Sequence, residues 1–128
     1  VLPVIWALTT AIFVFSVVIA WFKDIPDVEG DRQHQIATLS IRLGAKVVFR
    51  IGLNLLVTSF AVLAVLPLLA DLGVNEKIFT LGHLAMLGIL IYRSYGVDLS
   101  DKKAVAAFYQ FIWALFFCEY LLFAFSSL

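Results

Sequence analysis

The protein has 128 residues, of which 63% are hydrophobic and 14% are charged, and its formal net charge at pH 7 is zero. Soluble domains carry about 45–50% apolar and about 25% charged residues, so this chain has too few polar side chains to cover a water-exposed surface. The composition excludes a disordered chain, a nucleic-acid-binding protein and a disulfide-rich secreted domain, and it predicts an integral membrane protein.

Four apolar stretches predict an all-α, polytopic transmembrane bundle with four membrane-spanning helices. A spanning helix needs about 20 mainly apolar residues, whereas strands of a membrane barrel would be about half as long and would alternate in polarity. The predicted spans cover residues 3–22, 46–70, 78–96 and 104–126, and residues 23–43 form a polar loop between the first two. The third span is the least apolar, because it contains His83 and reaches beyond Arg93.

Residues at the borders of these stretches favour the same helices. Pro3 suits the first turn of a helix, where its missing N–H group would have no partner in any case. Ser100 is the expected N-cap of the fourth helix, and Asp101 is favourable near the positive end of that helix.

The nine Lys and Arg residues are distributed unevenly among the connections. In a four-span chain the first and third connections lie on the same side of the membrane. Together with the adjoining helix ends, as residues 23–50 and 93–103, they carry eight of these residues, whereas the second connection carries only Lys77. By the positive-inside rule, the first and third connections are expected to face the cytoplasm or its topological equivalent.

The first connection concentrates acidic residues. Four of the nine acids of the chain fall within the segment KDIPDVEGDR at residues 23–32. Asp24, Asp27 and Asp31 follow the pattern D-x-x-D-x-x-x-D, which places them on one face if the segment is helical. Pro26 instead favours a new helix that starts near itself. Asp27 and Asp31 would then share a face, and Asp24 would meet them from the end of the first span.

Carboxylates this close repel one another and must be neutralised by protons, by nearby cations or by a metal ion. Their oxygens suit Mg²⁺ or Ca²⁺ rather than zinc, and Mg²⁺ typically completes its shell with water and phosphate oxygens. Lys23, Arg32 and Arg42 flank the acids and are candidates to bind further phosphate oxygens. We interpret the loop as a diphosphate–Mg²⁺ site at a membrane face, and a solvated acidic loop without a ligand is the alternative.

The same segment resembles a known motif. KDIPDVEGDR at 23–32, followed by TLSIRLG at 38–44, resembles the second aspartate-rich motif of the UbiA-type membrane prenyltransferases. The segments FYQFIW at 108–113 and FFCEYLL at 116–122 are similar to the C-terminal helix of the homogentisate phytyltransferases of cyanobacteria and plastids, a group within that family.

This resemblance implies the last four helices of a nine-helix fold around a central cavity, in a cyanobacterial or plastid membrane. It assigns Asp24, Asp27 and Asp31 to catalysis as Mg²⁺ ligands. In the family a first motif, N-x-x-x-D-x-x-x-D, lies in an upstream half that this sequence does not contain. We therefore expect the missing N-terminal half to be a required partner and the chain alone to be inactive.

The implied reaction is transfer of a phytyl group from phytyl diphosphate to homogentisate, with loss of CO₂, in tocopherol biosynthesis. Other UbiA-type enzymes, with a solanesyl or geranylgeranyl donor or with a flavonoid acceptor, are the near alternatives. A cation-binding fragment of a membrane transporter is the alternative from another class. It is less favoured, because residues 3–22 and 51–70 contain no charge that could line a path.

Several other polar residues in or near the spans have two interpretations each. An acid inside a membrane span is a functional candidate, but only nine residues follow Glu119, so structural pairing near the far interface is favoured. His83 is interpreted as a hydrogen-bonded packing residue. Arg50 is expected to extend toward the interface rather than to meet an aromatic carboxylate. Tyr92 and Arg93 are possible substrate contacts.

Overall fold

The computed structural model describes residues 2–25 and 44–128, and within these ranges the regular structure is helical. The four helices are α1 (Pro3–Asp24), α2 (Ala45–Leu69), α3 (Glu76–Ser94) and α4 (Lys102–Ser126). By length and composition, α1, α2 and α4 are suited to cross a membrane, whereas the 19-residue α3 is not among the helices that qualify. The prediction of an all-α bundle of four helices is therefore confirmed, and three of the four predicted spans have the length and composition of a membrane-crossing helix.

Local sequence explains where two of the helices begin. Pro3 occupies the first turn of α1, where a backbone N–H group would have no acceptor within the helix. Asn75 is the N-cap of α3, and its side-chain oxygen accepts a hydrogen bond from the backbone N–H of Ile78 at 3.1 Å. This bond satisfies one of the donors that every helix start leaves without an internal partner.

The start of α4 differs from the sequence-based expectation by one residue. Asp101, not Ser100, is the N-cap, and its carboxylate accepts from the backbone N–H of Lys103 at 3.0 Å. Ser100 is engaged in the preceding turn, where its N–H and its hydroxyl donate to Asp98 Oδ1 at 2.9 and 2.5 Å. The hydroxyl, followed by the N–H group, lowers the pKa of the exposed Asp98 carboxyl below its ordinary value.

The helices form a ring in which each packs mainly against two neighbours. Consecutive helices lie side by side, and α4 closes the ring by packing against α1. The buried residues of α1 recur every three or four positions and therefore form one stripe along the helix; they are Ala11, Phe15, Val18, Ile19 and Phe22. Large apolar side chains such as Phe13, Val62 and Phe117 point outward, as expected for helices in lipid.

Two apolar clusters fill the interior. The larger one includes Phe15, Phe60 and Ile112 and draws buried residues from all four helices. The smaller one includes Phe79 and Phe123, close to the connection between α2 and α3. Lipid is as apolar as these side chains, so close packing rather than escape from water must hold the helices together in a bilayer.

A proline and a hydroxyl group shape the contact between α2 and α3. Pro67 lies inside α2 and has no N–H to donate to the carbonyl of Leu63, which weakens the helix at this turn. The Thr80 hydroxyl of α3 donates to the neighbouring Ala64 carbonyl at 2.7 Å. This bond links the two helices where the backbone hydrogen bonding of α2 is interrupted.

Glycine 52 allows the closest approach of α2 to α1. A Cβ atom built on Gly52 would lie 2.5 Å from one ring carbon of Phe22 and 2.9 Å from another. The Phe22 ring is itself buried and stacked on Phe49, with 5.5 Å between ring centroids, so it has little freedom to move aside. The absence of a side chain at position 52 is thus a requirement of the packing.

Replacing Gly52 with Ala should destabilise the bundle by about 1–3 kcal/mol, because the new methyl group overlaps the Phe22 ring. The matched control is Gly88→Ala in α3, where an added Cβ would meet nothing within 4 Å. The control should leave the stability unchanged or slightly raised, since Ala is the better helix former. Unfolding of both variants in detergent, followed by circular dichroism, checks this, and equal stability of the two would contradict it.

Candidate functional site

The end of the bundle where α1 and α3 finish and α2 and α4 begin, here called the loop end, carries most of the positive charge. Of the seven Lys and Arg residues in the described ranges, six lie here, and only Lys77 lies at the opposite, far end. The six are Lys23, Lys46, Arg50, Arg93, Lys102 and Lys103. Three carboxylates, those of Asp24, Asp98 and Asp101, also lie at this end, so the described residues leave it with an excess of positive charge, which favours an anionic ligand.

Aromatic rings from three helices close the interior beneath the loop end. Phe22 of α1 stacks on Phe49 of α2, and Phe108 of α4 contacts both rings at centroid distances of 6.1 and 5.3 Å. Phe111 extends this group by contacting Phe108 at 5.7 Å. The Arg93 guanidinium of α3 lies over the Phe111 ring, 4.6 Å from its centroid, a cation–π contact. We call these four phenylalanines the aromatic floor.

Two of the predicted site residues end α1 at this level. Lys23 is exposed and Asp24 is half-buried. The C-terminal end of a helix carries partial negative charge, which stabilises Lys23 but disfavours the Asp24 carboxylate. The macrodipole of α1 therefore does not favour an acid at this position, and the assignment of Asp24 to metal binding stays a prediction.

The remaining predicted site residues, Asp27, Asp31, Arg32 and Arg42, lie outside the described residues. Their assignment to metal and diphosphate binding stays a prediction. Within residues 2–25 and 44–128, no group of three or more His, Cys, Asp or Glu side chains is placed to hold a metal ion. A metal site built from described residues alone is therefore not present.

Three of the residues with two interpretations, Arg50, Tyr92 and Arg93, fall at the loop end. Arg50 is exposed in the second turn of α2. Tyr92 is 78% exposed, next to Arg93 in the last turn of α3. Because its guanidinium lies over the aromatic floor, Arg93 keeps a positive charge at the boundary between the apolar interior and the loops.

An open groove of about 790 Å³ runs between α1 and α2. Apolar side chains such as Trp6, Val14 and Leu66 form most of its surface. The groove also contains Thr10, Asn54, Thr58 and Ser59, which are its polar positions. An elongated, mostly hydrocarbon molecule with few polar groups would match this lining.

A buried polar pair lies in the other half of the bundle. His83 of α3 and Glu119 of α4 are 0% and 1% exposed, and His83 Nε2 lies 2.6 Å from Glu119 Oε1. The structural pairing favoured for Glu119 is confirmed, but the sequence did not identify His83 as its partner. In the structure both residues lie eight positions from the cap at the far end of their helix, Asn75 for α3 and Ser127 for α4. The rotation of α3 against α4 that turns them toward each other has no short-range sequence signal.

Sequence comparison places this chain among known proteins. The model of the UbiA prenyltransferase family matches residues 1–115. A homogentisate phytyltransferase of Synechocystis sp. is 48% identical over 119 residues, covering 93% of this chain and 39% of the relative. Homogentisate phytyltransferase 1, chloroplastic, of Arabidopsis thaliana is 42% identical over 96% of this chain and 31% of the relative.

A further relative carries the name naringenin 8-dimethylallyltransferase 2, chloroplastic, from Sophora flavescens, and is 38% identical over 89% of this chain and 28% of its own length. No solved structure matches the chain at a significant level. The chain thus spans about a third of the length of the curated relatives it matches. Since the family model covers most of the chain, including the acidic segment and three complete helices, this protein belongs to the UbiA prenyltransferase family.

Proposed function

We propose that this chain forms part of a Mg²⁺-dependent prenyltransferase that transfers a phytyl group from phytyl diphosphate to homogentisate, with decarboxylation, in tocopherol biosynthesis. The single observation that carries the proposal is the 48% identity to a homogentisate phytyltransferase across 93% of this chain. The positive loop end above an apolar interior supports it, because a prenyl diphosphate combines an anionic head with a hydrocarbon tail.

The donor set fits the metal. Asp24, Asp27 and Asp31 offer hard carboxylate oxygens, which Mg²⁺ prefers, and α1 brings Asp24 to the loop end. When bound, Mg²⁺ would stabilise the negative charge that develops on the leaving diphosphate. Lys23, Arg32 and Arg42 are proposed to hold further diphosphate oxygens through charge-assisted hydrogen bonds.

The apolar residues of the chain are proposed to protect the reaction from water. Ionisation of the allylic C–O bond leaves a carbocation, which the electron-rich ring of homogentisate attacks before the ring loses CO₂. Water would consume this cation, so the hydrocarbon tail and the reacting carbon must lie in a dry site. The groove between α1 and α2 offers such a surface for the tail.

The location follows from the same reasoning. The three helices suited to cross a membrane make a multi-pass protein, and the Arabidopsis relative is named as chloroplastic. We propose a cyanobacterial or plastid membrane, with the Asp-rich loop on the cytoplasmic or stromal side. The excess of Lys and Arg at the loop end supports this orientation.

A flavonoid acceptor is the second candidate, favoured by the Sophora relative at 38% identity. Both candidates share the donor chemistry and differ in the acceptor ring. Assays of the complete polypeptide with homogentisate and with naringenin, each offered phytyl, geranylgeranyl, solanesyl and dimethylallyl diphosphate, separate them. We expect the highest kcat/KM with homogentisate and phytyl diphosphate, and a preference for naringenin would overturn the assignment.

In the complete polypeptide, Asp27→Asn should lower Mg²⁺-dependent turnover by about 100-fold to 1000-fold, because one carboxylate would be lost from the proposed metal site. Glu29→Gln is the matched control, since it removes a charge from the same segment but not from the D-x-x-D-x-x-x-D pattern. The control should retain most of the turnover. Kinetics of Asp27→Asn close to those of the parent enzyme would refute the role of this residue.

The chain by itself should show no measurable transfer, because the proposed site needs a second acidic motif that the sequence lacks. Co-expression with an upstream half that carries this motif should restore turnover. The assay follows labelled prenyl diphosphate into an organic-soluble product in lipid vesicles. Turnover by the chain alone would show that its own residues complete the site.

A further inference from the structure

The pair formed by His83 and Glu119 has a geometry that limits where its protons lie. His83 Nδ1 is 2.8 Å from the Phe79 carbonyl oxygen, and His83 Nε2 is 2.6 Å from Glu119 Oε1. A carbonyl oxygen can only accept a hydrogen bond, so Nδ1 must carry a proton. The short distance between Nε2 and Oε1 requires one further proton between these two atoms.

Two arrangements satisfy this requirement. In the first, the imidazole is neutral and a protonated Glu119 carboxyl donates to Nε2. In the second, an imidazolium donates to a Glu119 carboxylate. Both have zero net charge, as the interior of a membrane demands, but they differ in the charge left on the second carboxyl oxygen.

The second oxygen, Oε2, distinguishes the two arrangements. It is buried and has no hydrogen-bond partner among the described residues. A carboxylate would leave substantial negative charge on an unpaired oxygen in an apolar environment, whereas a neutral carboxyl would leave only a carbonyl oxygen. An unpaired carbonyl oxygen is the more tolerable of the two.

We propose that Glu119 is a neutral carboxylic acid that donates its proton to Nε2 of neutral His83, and that this bond fastens α3 to α4 inside the membrane. The pair lies about 12 Å from the far end of the bundle, given eight residues to each cap and a rise of 1.5 Å per residue. By the same rise, Glu119 lies about 26 Å from the start of α4 and His83 about 16 Å from the end of α3. The pair is thus nearer the far end than the loop end, and we assign it to the fold rather than to the transfer reaction.

The side chains in ring contact with His83 are all apolar. The ring contacts of His83 are to Phe60 of α2, Phe79 of α3 and Phe123 of α4. The titratable neighbours of Glu119 on its own helix, Cys118 and Tyr120, are both exposed. Among the described residues, no third charged group forms an ion pair with His83 or Glu119, so no external charge favours the charged arrangement.

Packing around the pair brings the two helices close together. Gly82, the residue before His83, lies against the Leu122 side chain so closely that a Cβ atom would overlap it. Nearer the far end, the Asn75 N–H donates to the Ser126 carbonyl at 2.6 Å. The bond from Asn75 to Ser126 and the absence of a side chain at Gly82 already hold α3 close to α4. The proposed bond adds one side-chain donor and one side-chain acceptor to this contact.

The position of the proton can be measured directly by ¹⁵N NMR of the full-length protein, labelled at histidine and held in lipid nanodiscs at neutral pH. The signals of His83 are those that disappear in a His83→Gln variant, whereas a His34→Gln control should retain them. We expect a neutral ring with Nδ1 protonated and Nε2 unprotonated. Protonation of both nitrogens would establish the ion pair and overturn the proposal.

The fastening role requires a double-mutant cycle. His83→Leu and Glu119→Leu should each lower the folding equilibrium constant by about threefold to tenfold, because each leaves its partner buried without a hydrogen bond. The folding equilibrium constant of the double variant should fall by less than the product of the two single effects, because neither buried polar group remains without a partner. If the double variant's fall in the folding equilibrium constant equals the product of the two single effects, the two residues act independently and the proposed role of the bond is wrong.

Two further variants keep this test decisive if a leucine variant does not fold. Glu119→Gln supplies an N–H donor to Nε2 and should stay closer to the parent stability than Glu119→Leu. Cys118→Ala, at the exposed neighbouring position, controls for substitution in this turn of α4 and should change little. Equal losses for Glu119→Gln and Glu119→Leu would contradict donation from residue 119 to His83.

Discussion

The absence of water inside a bilayer is the constraint on which the rest of this structure depends. Backbone groups there must find partners within the chain, so the apolar segments of the described ranges fold as helices. Charged side chains must reach the ends of these helices or be compensated. In the helices that the structure describes, Glu119 is the one acid away from a helix end, and His83 compensates it.

The same constraint gives the two ends of the bundle different roles. At the far end, hydrogen bonds such as that from Asn75 to Ser126 hold α3 and α4 together without any net charge. At the loop end, cations and Asp24 collect above the aromatic floor. The proposed reaction needs both an anion site in contact with water and a dry space for a reactive carbocation, and only the boundary between loops and membrane offers the two together.

Composition and hydropathy were sufficient to predict the membrane fold, because four long apolar segments leave few alternatives in lipid. The acidic motif was sufficient to identify the family.

The N-cap of α4 was predicted one residue too early. Both donors of Ser100 bind Asp98, so Asp101 caps α4 instead. The partner of Glu119 was not predicted, because it depends on how α3 is rotated against α4, and no short-range pattern encodes that rotation. The metal-binding trio remains a prediction, since only Asp24 lies in the described residues.

The packing of α1 connects the fold to the candidate site. Phe22 precedes Asp24 by two residues, and its ring fits over Gly52 and against both Phe49 and Phe108. These contacts fix the end of α1 relative to α2 and α4. The position of Asp24 at the loop end is therefore set by the packing of the apolar side chains beneath it. Helix packing alone places this carboxylate, before any ligand binds.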